Sequence, residues 1–260
     1  MNSNDTNSEQ SCYFFYFGLI VTGKGERSFL TKLFRSLMDS GICSFEIIRK
    51  VEQRNPITSE KRKLKMVGTG KLIPDEDTKE IGLPARSYLS SKPCTYVLLV
   101  DDLEHSRAAQ AKQVFNRYRE ALDTILREQK QRASVHFMVN MLEAYYFANA
   151  EAINTVLGTS LTDYVGDVET IRHAKGDLKQ IYHDFEEVEH GGRIIDCLDI
   201  EYVLSRPDAC ASLRTLFAWC SKVLEKYPNP EYLEQSLINK YRLNDGIMSI
   251  RTGSQLGEVE

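Results

Sequence analysis

Four short and almost uninterrupted apolar runs, separated by segments of helical periodicity, constrain the fold of this chain more than any other feature. The runs cover residues 12–21, 43–51, 95–102 and 133–140. A strand that is buried on both faces of a parallel sheet has this pattern. Parallel neighbours need a crossover connection, which is usually a helix. The alternation therefore predicts an α/β fold, a Rossmann-like parallel sheet of about four strands flanked by helices.

The helical segments suggest the order of the remaining parts. Apolar residues recur at helical spacing in 26–38 and along one face of 114–126. A third helical segment, 141–158, ends at a glycine, a residue type that commonly follows the last turn of a helix. The predicted organisation is a disordered N-terminus at 1–11, an α/β domain at 12–158 with a basic insert near 52–74, a helical region at 159–248 packed on that domain, and a flexible tail at 249–260.

The net charge and the cysteine content indicate in which compartment the protein works and which classes of partner it can bind. The net charge of −4 excludes a generally basic nucleic-acid coat but leaves room for a local basic groove. None of the six cysteines forms a C-x-x-C pair, so we expect free buried thiols in a reducing cytoplasm rather than a zinc or redox site. The chain starts without a basic n-region, and the apolar run at 12–21 is too short to cross a bilayer. These features predict a soluble cytoplasmic protein without a membrane partner.

Acidic residues follow three of the four predicted strands. Ligands of open α/β sheets bind beyond the carboxyl ends of the strands, where these residues are expected to converge. Crowded carboxylates repel one another unless a cation holds them together, and Mg²⁺ prefers oxygen ligands. The sequence thus favours a site for Mg²⁺ or Mn²⁺. Its candidate ligands are Glu26, Asp101, Asp102, Glu104 and Glu143.

Each acid also has an ordinary structural interpretation. Glu26 starts a helix, where the macrodipole favours negative charge. Asp102, or alternatively Ser106, fits a cap for the next helix. Glu143 fits a solvated helix position. The set as a whole favours the metal site over these separate explanations.

Basic residues are dense between Arg49 and Lys71. One interpretation is that these residues contact the phosphate backbone of a nucleic acid, which requires closely spaced positive charges but no recognition of bases. The alternative is a solvated flexible loop with ordinary exposed residues. The glycine turn "TGKGE" at 22–26 lacks the G-x-x-x-x-G-K-[ST] arrangement, so a nucleotide-binding P-loop is not expected. The candidates for phosphate contact are Lys24, Lys61, Arg62, Lys63, Lys65, Arg86 and Lys175.

Several blocks together resemble a bacterial Toprim-like family of unassigned function, whose members often lie beside ATPase genes in mobile or defence regions. The blocks are "GKGERSFLTKLF", "VLLVDDLEHSR", "VHFMVNMLEAYYFAN", "VETIRHAKGDLKQI" and "LRTLFAWC". The resemblance spans most of 13–225 and is distantly shared with overcoming-lysogenization-defect nucleases. In Toprim enzymes the turn after the first strand carries a glutamate, and aspartates at strand ends bind Mg²⁺. On this chain the first glutamate of the related nuclease pattern falls on Thr22 and the second on Glu26.

The resemblance implies a Toprim-type, Mg²⁺-dependent nuclease acting on DNA or RNA. Asp101 would hold the cation with help from Asp102, Glu104 or Glu143, and Glu26 would act as general acid or base. The protein would be the effector of an ATPase-associated anti-phage system, with an ATPase as partner. Because Thr22 replaces an expected ligand, the alternative is a catalytically inactive subunit that binds an ATPase or nucleic acid as sensor or scaffold. The oligomeric state is left open, a homo-oligomer included.

Overall fold

The structure is a computed structural model that describes residues 11–56, 64–66, 72–206 and 209–235. The predicted disordered N-terminus, apart from its last residue, and the predicted flexible tail lie outside these ranges. So do the end of the predicted C-terminal helical region and most of the basic insert, including Lys61, Arg62 and Lys63.

A four-stranded parallel sheet forms the centre of the molecule, as the apolar runs predict. Its strands are β1 (Phe15–Val21), β2 (Cys43–Lys50), β5 (Thr95–Leu103) and β6 (Ala133–Val139). Their order in space is β2-β1-β5-β6, and every neighbouring pair is parallel. The prediction of an α/β fold with a parallel sheet of about four strands is confirmed.

Helices and one hairpin connect the strands. Between β1 and β2 lie α1 (Lys24–Leu33) and α2 (Arg35–Met38). Between β2 and β5 lie the antiparallel hairpin β3 (Leu64–Met66) and β4 (Leu72–Pro74), α3 (Asp75–Asp77), a π-helical turn (Thr78–Gly82) and α4 (Leu83–Leu89). Between β5 and β6 lie a 3₁₀ helix (His105–Gln110), α5 (Ala111–Leu126) and a second 3₁₀ helix (Arg127–Arg132).

The chain after β6 is helical, as predicted, as far as the structure describes it. Its 3₁₀ and π segments are Leu142–Ala148, Val168–Thr170 and Glu187–Gly191. Its α-helices are α6 (Ala150–Leu157), α7 (Ala174–Ile181), α8 (Gly192–Cys197), α9 (Ile200–Leu204), α10 (Ala211–Leu224) and α11 (Pro230–Gln235).

Helices cover both faces of the sheet, and this explains why β1, β5 and β6 are almost entirely buried. One hydrophobic cluster joins Phe17 and Leu98 to residues of α1 and α10, such as Trp219; we call this side the α1 face. A second cluster joins Leu99 to residues of α4 and α5, such as Tyr118, on the α5 face. Because successive strand residues point to opposite faces, odd and even positions of each strand enter different clusters.

The connections make the carboxyl ends of β1 and β5 a switch point. From β1 the chain crosses to β2 on one side, and from β5 it crosses to β6 on the other side. In an open α/β sheet a crevice forms outside the strand ends at this position, and ligands bind there. The segments that follow β1, β5 and β6 carry the predicted acidic site.

The cysteine prediction is wrong for two residues. Cys12 and Cys94 form a disulfide, with their Cα atoms 5.8 Å apart. They precede β1 and β5, which are adjacent parallel strands, so the strands bring the two thiols to the same edge of the sheet although 82 residues separate them. Cys43, Cys210 and Cys220 are free and buried as expected, whereas Cys197 is free and exposed.

In the described part of the chain, no helix is both long and apolar enough to cross a membrane. The cytoplasmic location stays a prediction.

Candidate functional site

Asp101 and Asp102 lie near the carboxyl end of β5, and their side chains point to opposite faces of the sheet. Asp101 follows the odd-numbered residues of β5 toward the α5 face, and Asp102 follows the even-numbered residues toward the α1 face. The side-chain period of two in a strand causes this separation. Two acids that are neighbours in the sequence therefore belong to different environments.

Asp101 is fully buried in a closed network on the α5 face. Its Oδ1 accepts a hydrogen bond of 2.8 Å from Thr22 Oγ1, and its Oδ2 accepts one of 2.6 Å from Arg107 Nη2. The hydroxyl of Tyr118 also hydrogen-bonds to this carboxylate. Burial raises the pKa of Asp101 to about 6, and Arg107, Thr22 and Tyr118 limit that rise. The carboxylate is thus neutralised and held by protein groups on both oxygens.

Thr22, where the resembling nuclease pattern has a glutamate, bridges β1 and β5. Its hydroxyl donates to Asp101, and it accepts a hydrogen bond of 3.1 Å from the backbone N–H of Asp102. The threonine is 5% exposed. At this position the side chain therefore joins the ends of two strands and faces away from the α1 face.

Arg107 connects the same network to the start of the basic insert. Besides Asp101, it donates to the backbone carbonyls of Arg54, at 2.9 Å, and Asp102, at 2.8 Å. The backbone N–H of Arg54 in turn donates to the Tyr118 hydroxyl at 3.0 Å. Sequence reasoning missed Arg107 and Tyr118. Arg107 lies within the block "DDLEHSR", but Tyr118 gives no sequence signal because it lies on the apolar face of a helix.

Asp102 has the contrasting environment on the α1 face. Its side chain is only 7% exposed, and among the residues that the structure describes no hydrogen-bond partner reaches its buried Oδ1, which we call the orphan oxygen. Burial, together with the carboxylates of Glu26, Asp101, Glu104 and Glu143, raises the pKa of Asp102 to about 9. A buried, uncompensated carboxylate of this kind is costly when ionised unless a cation joins it.

Glu26 lies in the first turn of α1, and its charge acts on Asp102. It is 3% exposed, and burial, together with the charges of Glu143, Glu187 and Asp101, raises its pKa to about 7 despite a hydrogen bond from its own backbone. The side chain folds back over Gly23, where an added Cβ would lie 1.5 Å from Glu26 Oε2. Gly23 thus leaves space for the Glu26 carboxylate, which explains one glycine of the turn without a phosphate ligand.

Glu143 approaches from the segment that follows β6. It is 3% exposed, so it is not a solvated helix position, and burial raises its pKa. The turn before it holds two non-glycine residues at positive φ, Asn140 at 58° and Met141 at 77°. Such backbone is strained and persists only when its surroundings hold it. Here Asn140 N donates to the carbonyl of Leu103 at 3.1 Å, and Asn140 Nδ2 donates to the carbonyl of Glu169 at 2.7 Å.

Glu169, a buried residue that the sequence did not single out as a site residue, supports this turn. Its carboxylate accepts hydrogen bonds from the Tyr145 hydroxyl at 3.1 Å and from Ser212 N at 2.7 Å. The Tyr145 hydroxyl also accepts from Val139 N at 3.1 Å. Glu169 therefore ties the end of β6 to the beginning of α10, and so fixes the approach of Glu143.

We call Glu26, Asp102 and Glu143 the acidic cluster. Glu104, the remaining predicted ligand, is exposed and adds only its charge to the field at Asp102. The predicted phosphate contacts are scattered. Lys24 is exposed at the start of α1, Arg86 is exposed on α4, and Lys175 pairs with Glu187 beside the acidic cluster. Lys65 lies in β3 and its side chain is outside the described part of the structure.

The donor set fits a hard divalent cation in chemistry but is not arranged around one point. Carboxylate oxygens are the ligands that Mg²⁺ and Mn²⁺ prefer, and the orphan oxygen of Asp102 is a buried ligand atom without a hydrogen-bond partner among the described residues. Within the described ranges, however, no three His, Cys, Asp or Glu side chains converge closely enough to hold a metal ion. A cation would have to draw the three carboxylates together.

Comparison with protein-family models, with curated proteins and with solved structures found no match. The assignment of a function thus rests on the residues at the strand ends.

Proposed function

We propose that this protein is a metal-dependent phosphodiesterase acting on nucleic acid, with the acidic cluster as its cation site. The orphan oxygen of Asp102 is the observation that carries the proposal. It is buried, the charges of two further buried carboxylates act on its side chain, and it lies at the switch point of the sheet. Uncompensated buried carboxylates at this position are costly for folding alone and are useful to a protein that binds a cation.

Asp102, Glu26 and Glu143 would hold Mg²⁺ or Mn²⁺, which would stabilise the charge on a phosphate and lower the pKa of a bound water. Glu26 is the candidate proton acceptor because it lies in the first turn after β1, beside the other two carboxylates, and a bound cation would keep it ionised. Lys24 is exposed two residues before Glu26 and is placed to contact the backbone of a nucleic acid. Asp101 serves as the anchor that aligns the ends of β1 and β5, rather than as a principal ligand.

A second candidate function is a non-catalytic subunit that binds an ATPase or a nucleic acid. The closed network around Asp101 favours it, because Thr22 and Arg107 already occupy both oxygens of the carboxylate that the resemblance assigns to the metal. The two candidates differ in whether the acidic cluster supports chemistry.

A cleavage assay separates them. Purified protein is incubated with plasmid DNA, single-stranded DNA and total RNA, with Mg²⁺ or Mn²⁺, alone and with an ATPase encoded beside it plus ATP. Asp102→Asn and Glu26→Gln are expected to lower the cleavage rate at least about 100-fold. Glu128→Gln is the matched control, since Glu128 is exposed in the 3₁₀ helix before β6, at the opposite edge of the sheet. Absence of cleavage under every condition would overturn the nuclease and leave the non-catalytic subunit.

The proposed role in anti-phage defence rests on the resemblance alone. It is tested by plating a broad phage panel on cells that carry this protein and the ATPase, with the Asp102→Asn variant as control. Reduced plating that depends on Asp102 supports the role, and unchanged plating by the unmodified pair contradicts it.

A further inference from the structure

Two residues of the C-terminal helical region lie against the acidic cluster. Glu187 begins the π-helical turn Glu187–Gly191, and Lys175 lies in the first turn of α7. The sequence analysis predicts Lys175 only as a phosphate contact and does not select Glu187. Both side chains are partly exposed, so they stand at the solvent side of the buried carboxylates.

Glu187 lies directly over the glycine turn that begins α1. A Cβ added to Gly25 would be 3.1 Å from Glu187 Oε1, so the missing side chain of Gly25 gives the carboxylate its space. The charge of Glu187 raises the pKa of both Glu26 and Glu143, which places it within the same electrostatic site. Its charge also acts on the buried hydroxyl of Tyr146.

Lys175 supplies positive charge at this place. Its ammonium pairs with Glu187 Oε2 and is also attracted by Glu143 and the exposed Glu186. The ammonium therefore supplies, beside Glu143, part of the positive charge that a bound cation would supply. Asp102 is only 7% exposed, and its orphan oxygen receives no hydrogen bond from this ammonium.

We propose that Glu187 is a further carboxylate ligand of the cation site, and that the Lys175 ammonium occupies Glu187 until the cation displaces it. This inference rests on the proposed function. In the cation-free form Lys175 neutralises Glu187. In the loaded form Glu187 turns to the cation, and the released ammonium faces the solvent side, where a substrate phosphate would enter.

The proposal predicts that removing the lysine and removing the glutamate change the affinity for Mn²⁺ in opposite directions. The test measures binding of Mn²⁺ alone to the full chain, by isothermal titration and by the electron paramagnetic resonance signal of free Mn²⁺. Glu187→Gln is expected to weaken the affinity at least about 10-fold, as loss of a ligand-site group does. Lys175→Met is expected to strengthen it about two- to fivefold, because the competing pair is partly exposed and individually weak.

Glu189→Gln is the matched control. Glu189 lies in the same turn, is exposed, and loses the same charge, so its affinity should stay within about twofold of the wild-type value. Thermal unfolding without metal checks that every variant is folded. In the Glu187→Gln background the gain from Lys175→Met should shrink, since the lysine competes mainly through Glu187.

The outcomes distinguish this inference from the function beneath it. Failure of the wild-type protein to bind Mn²⁺ would overturn the cation site itself. Wild-type binding that Glu187→Gln leaves unchanged would overturn only the role of Glu187 and leave the cation with Asp102, Glu26 and Glu143. Weaker binding by Lys175→Met would show that the lysine supports the site rather than competing for it, and would overturn the displacement.

Discussion

The two faces of the sheet hold the same chemical group, an aspartate at the end of β5, in opposite states. On the α5 face, Asp101 is enclosed by Arg107, Thr22 and Tyr118. On the α1 face, Asp102 lies among carboxylates and keeps the orphan oxygen. The difference shows how a protein can separate structural from functional acids: a compensated carboxylate stabilises the fold, and an uncompensated one is available to a ligand.

The largest predicted effect is loss of stability when the compensated side is broken. Asp101→Asn leaves Arg107, which is 7% exposed, without its anionic partner. The free energy of unfolding should fall by about 3 to 5 kcal/mol, as for other broken buried pairs. Urea denaturation measures it, with Asp102→Asn as the matched control one residue away. Equal losses in the two variants would remove the proposed difference between the faces.

The second prediction concerns the uncompensated side and needs the cation. Wild-type protein should gain about 2.7 kcal/mol of unfolding free energy at a free Mn²⁺ concentration one hundred times the dissociation constant. Asp102→Asn should lose most of this gain. Its stability without metal should be unchanged or higher, because the asparagine needs no proton uptake to stay neutral in this buried, acidic environment. Differential scanning calorimetry with and without Mn²⁺ measures both quantities. A full cation gain in the variant would place the cation away from Asp102.

The third prediction concerns how the stability of the cation-free protein depends on pH through the carboxyl groups of the α1 face. The pKa of Glu26 is about 7 in the folded protein against 4.5 ordinarily, so the native state binds more protons than the unfolded state between these values. Stability of the cation-free protein should therefore fall as pH rises from 5 to 7, by of the order of 2 kcal/mol.

Asp102, with a pKa of about 9, adds to the fall and extends it toward higher pH. Asp101 and Glu169, whose pKa values are also raised, act in the same direction, whereas buried His136, whose pKa is lowered, acts in the opposite direction. Glu26→Gln should therefore make the curve less steep between pH 5 and 7 without removing its slope, and Mn²⁺ should do the same at neutral pH by favouring the ionised carboxylates. Thermal unfolding of the wild-type protein and the variant across this pH range is the measurement. An equal slope in the two proteins between pH 5 and 7 would contradict the raised pKa of Glu26.

The smallest predicted effect is at the bridge between the two strands. Thr22→Val keeps the shape but removes the hydrogen bonds to Asp101 Oδ1 and from Asp102 N. Stability should fall by only about 1 kcal/mol, since Asp101 retains Arg107 and Tyr118. Thr22→Ser keeps the hydroxyl and is the control. A loss in Thr22→Val as large as that in Asp101→Asn would make the threonine, rather than the arginine, the main support of the anchor.

The prediction of the fold was accurate because it rests on local patterns. The apolar runs at 43–51, 95–102 and 133–140 match the observed strands to within one or two residues, and the run at 12–21 begins a few residues before β1. The helical stop at Gly158 is also found, with the glycine in the left-handed conformation at φ 66°. Periodicity and punctuation residues act over a few neighbours, so a single sequence displays them.

The candidate site was predicted only in outline. That acids from three strand ends lie at one edge of the sheet follows from parallel topology, and in the structure the charges of Glu26 and Glu143 both act on Asp102. Arg107 lies only six residues after Asp101, but the other partners that decide the chemistry come from farther along the chain: Thr22 and Tyr118 for Asp101, and Glu187 for the cluster. The disulfide between Cys12 and Cys94 was missed for the same reason.

The sequence by itself determined the parallel α/β architecture and the edge of the sheet where acidic residues gather. Only the tertiary structure decided which of the two adjacent aspartates is paired with an arginine. The strand period of two sends Asp101 and Asp102 to opposite faces, and the helices packed on those faces supply a guanidinium to one and further carboxylates to the other. The electrostatic state of a buried group depends on long-range neighbours, which the order of residues along the chain does not display.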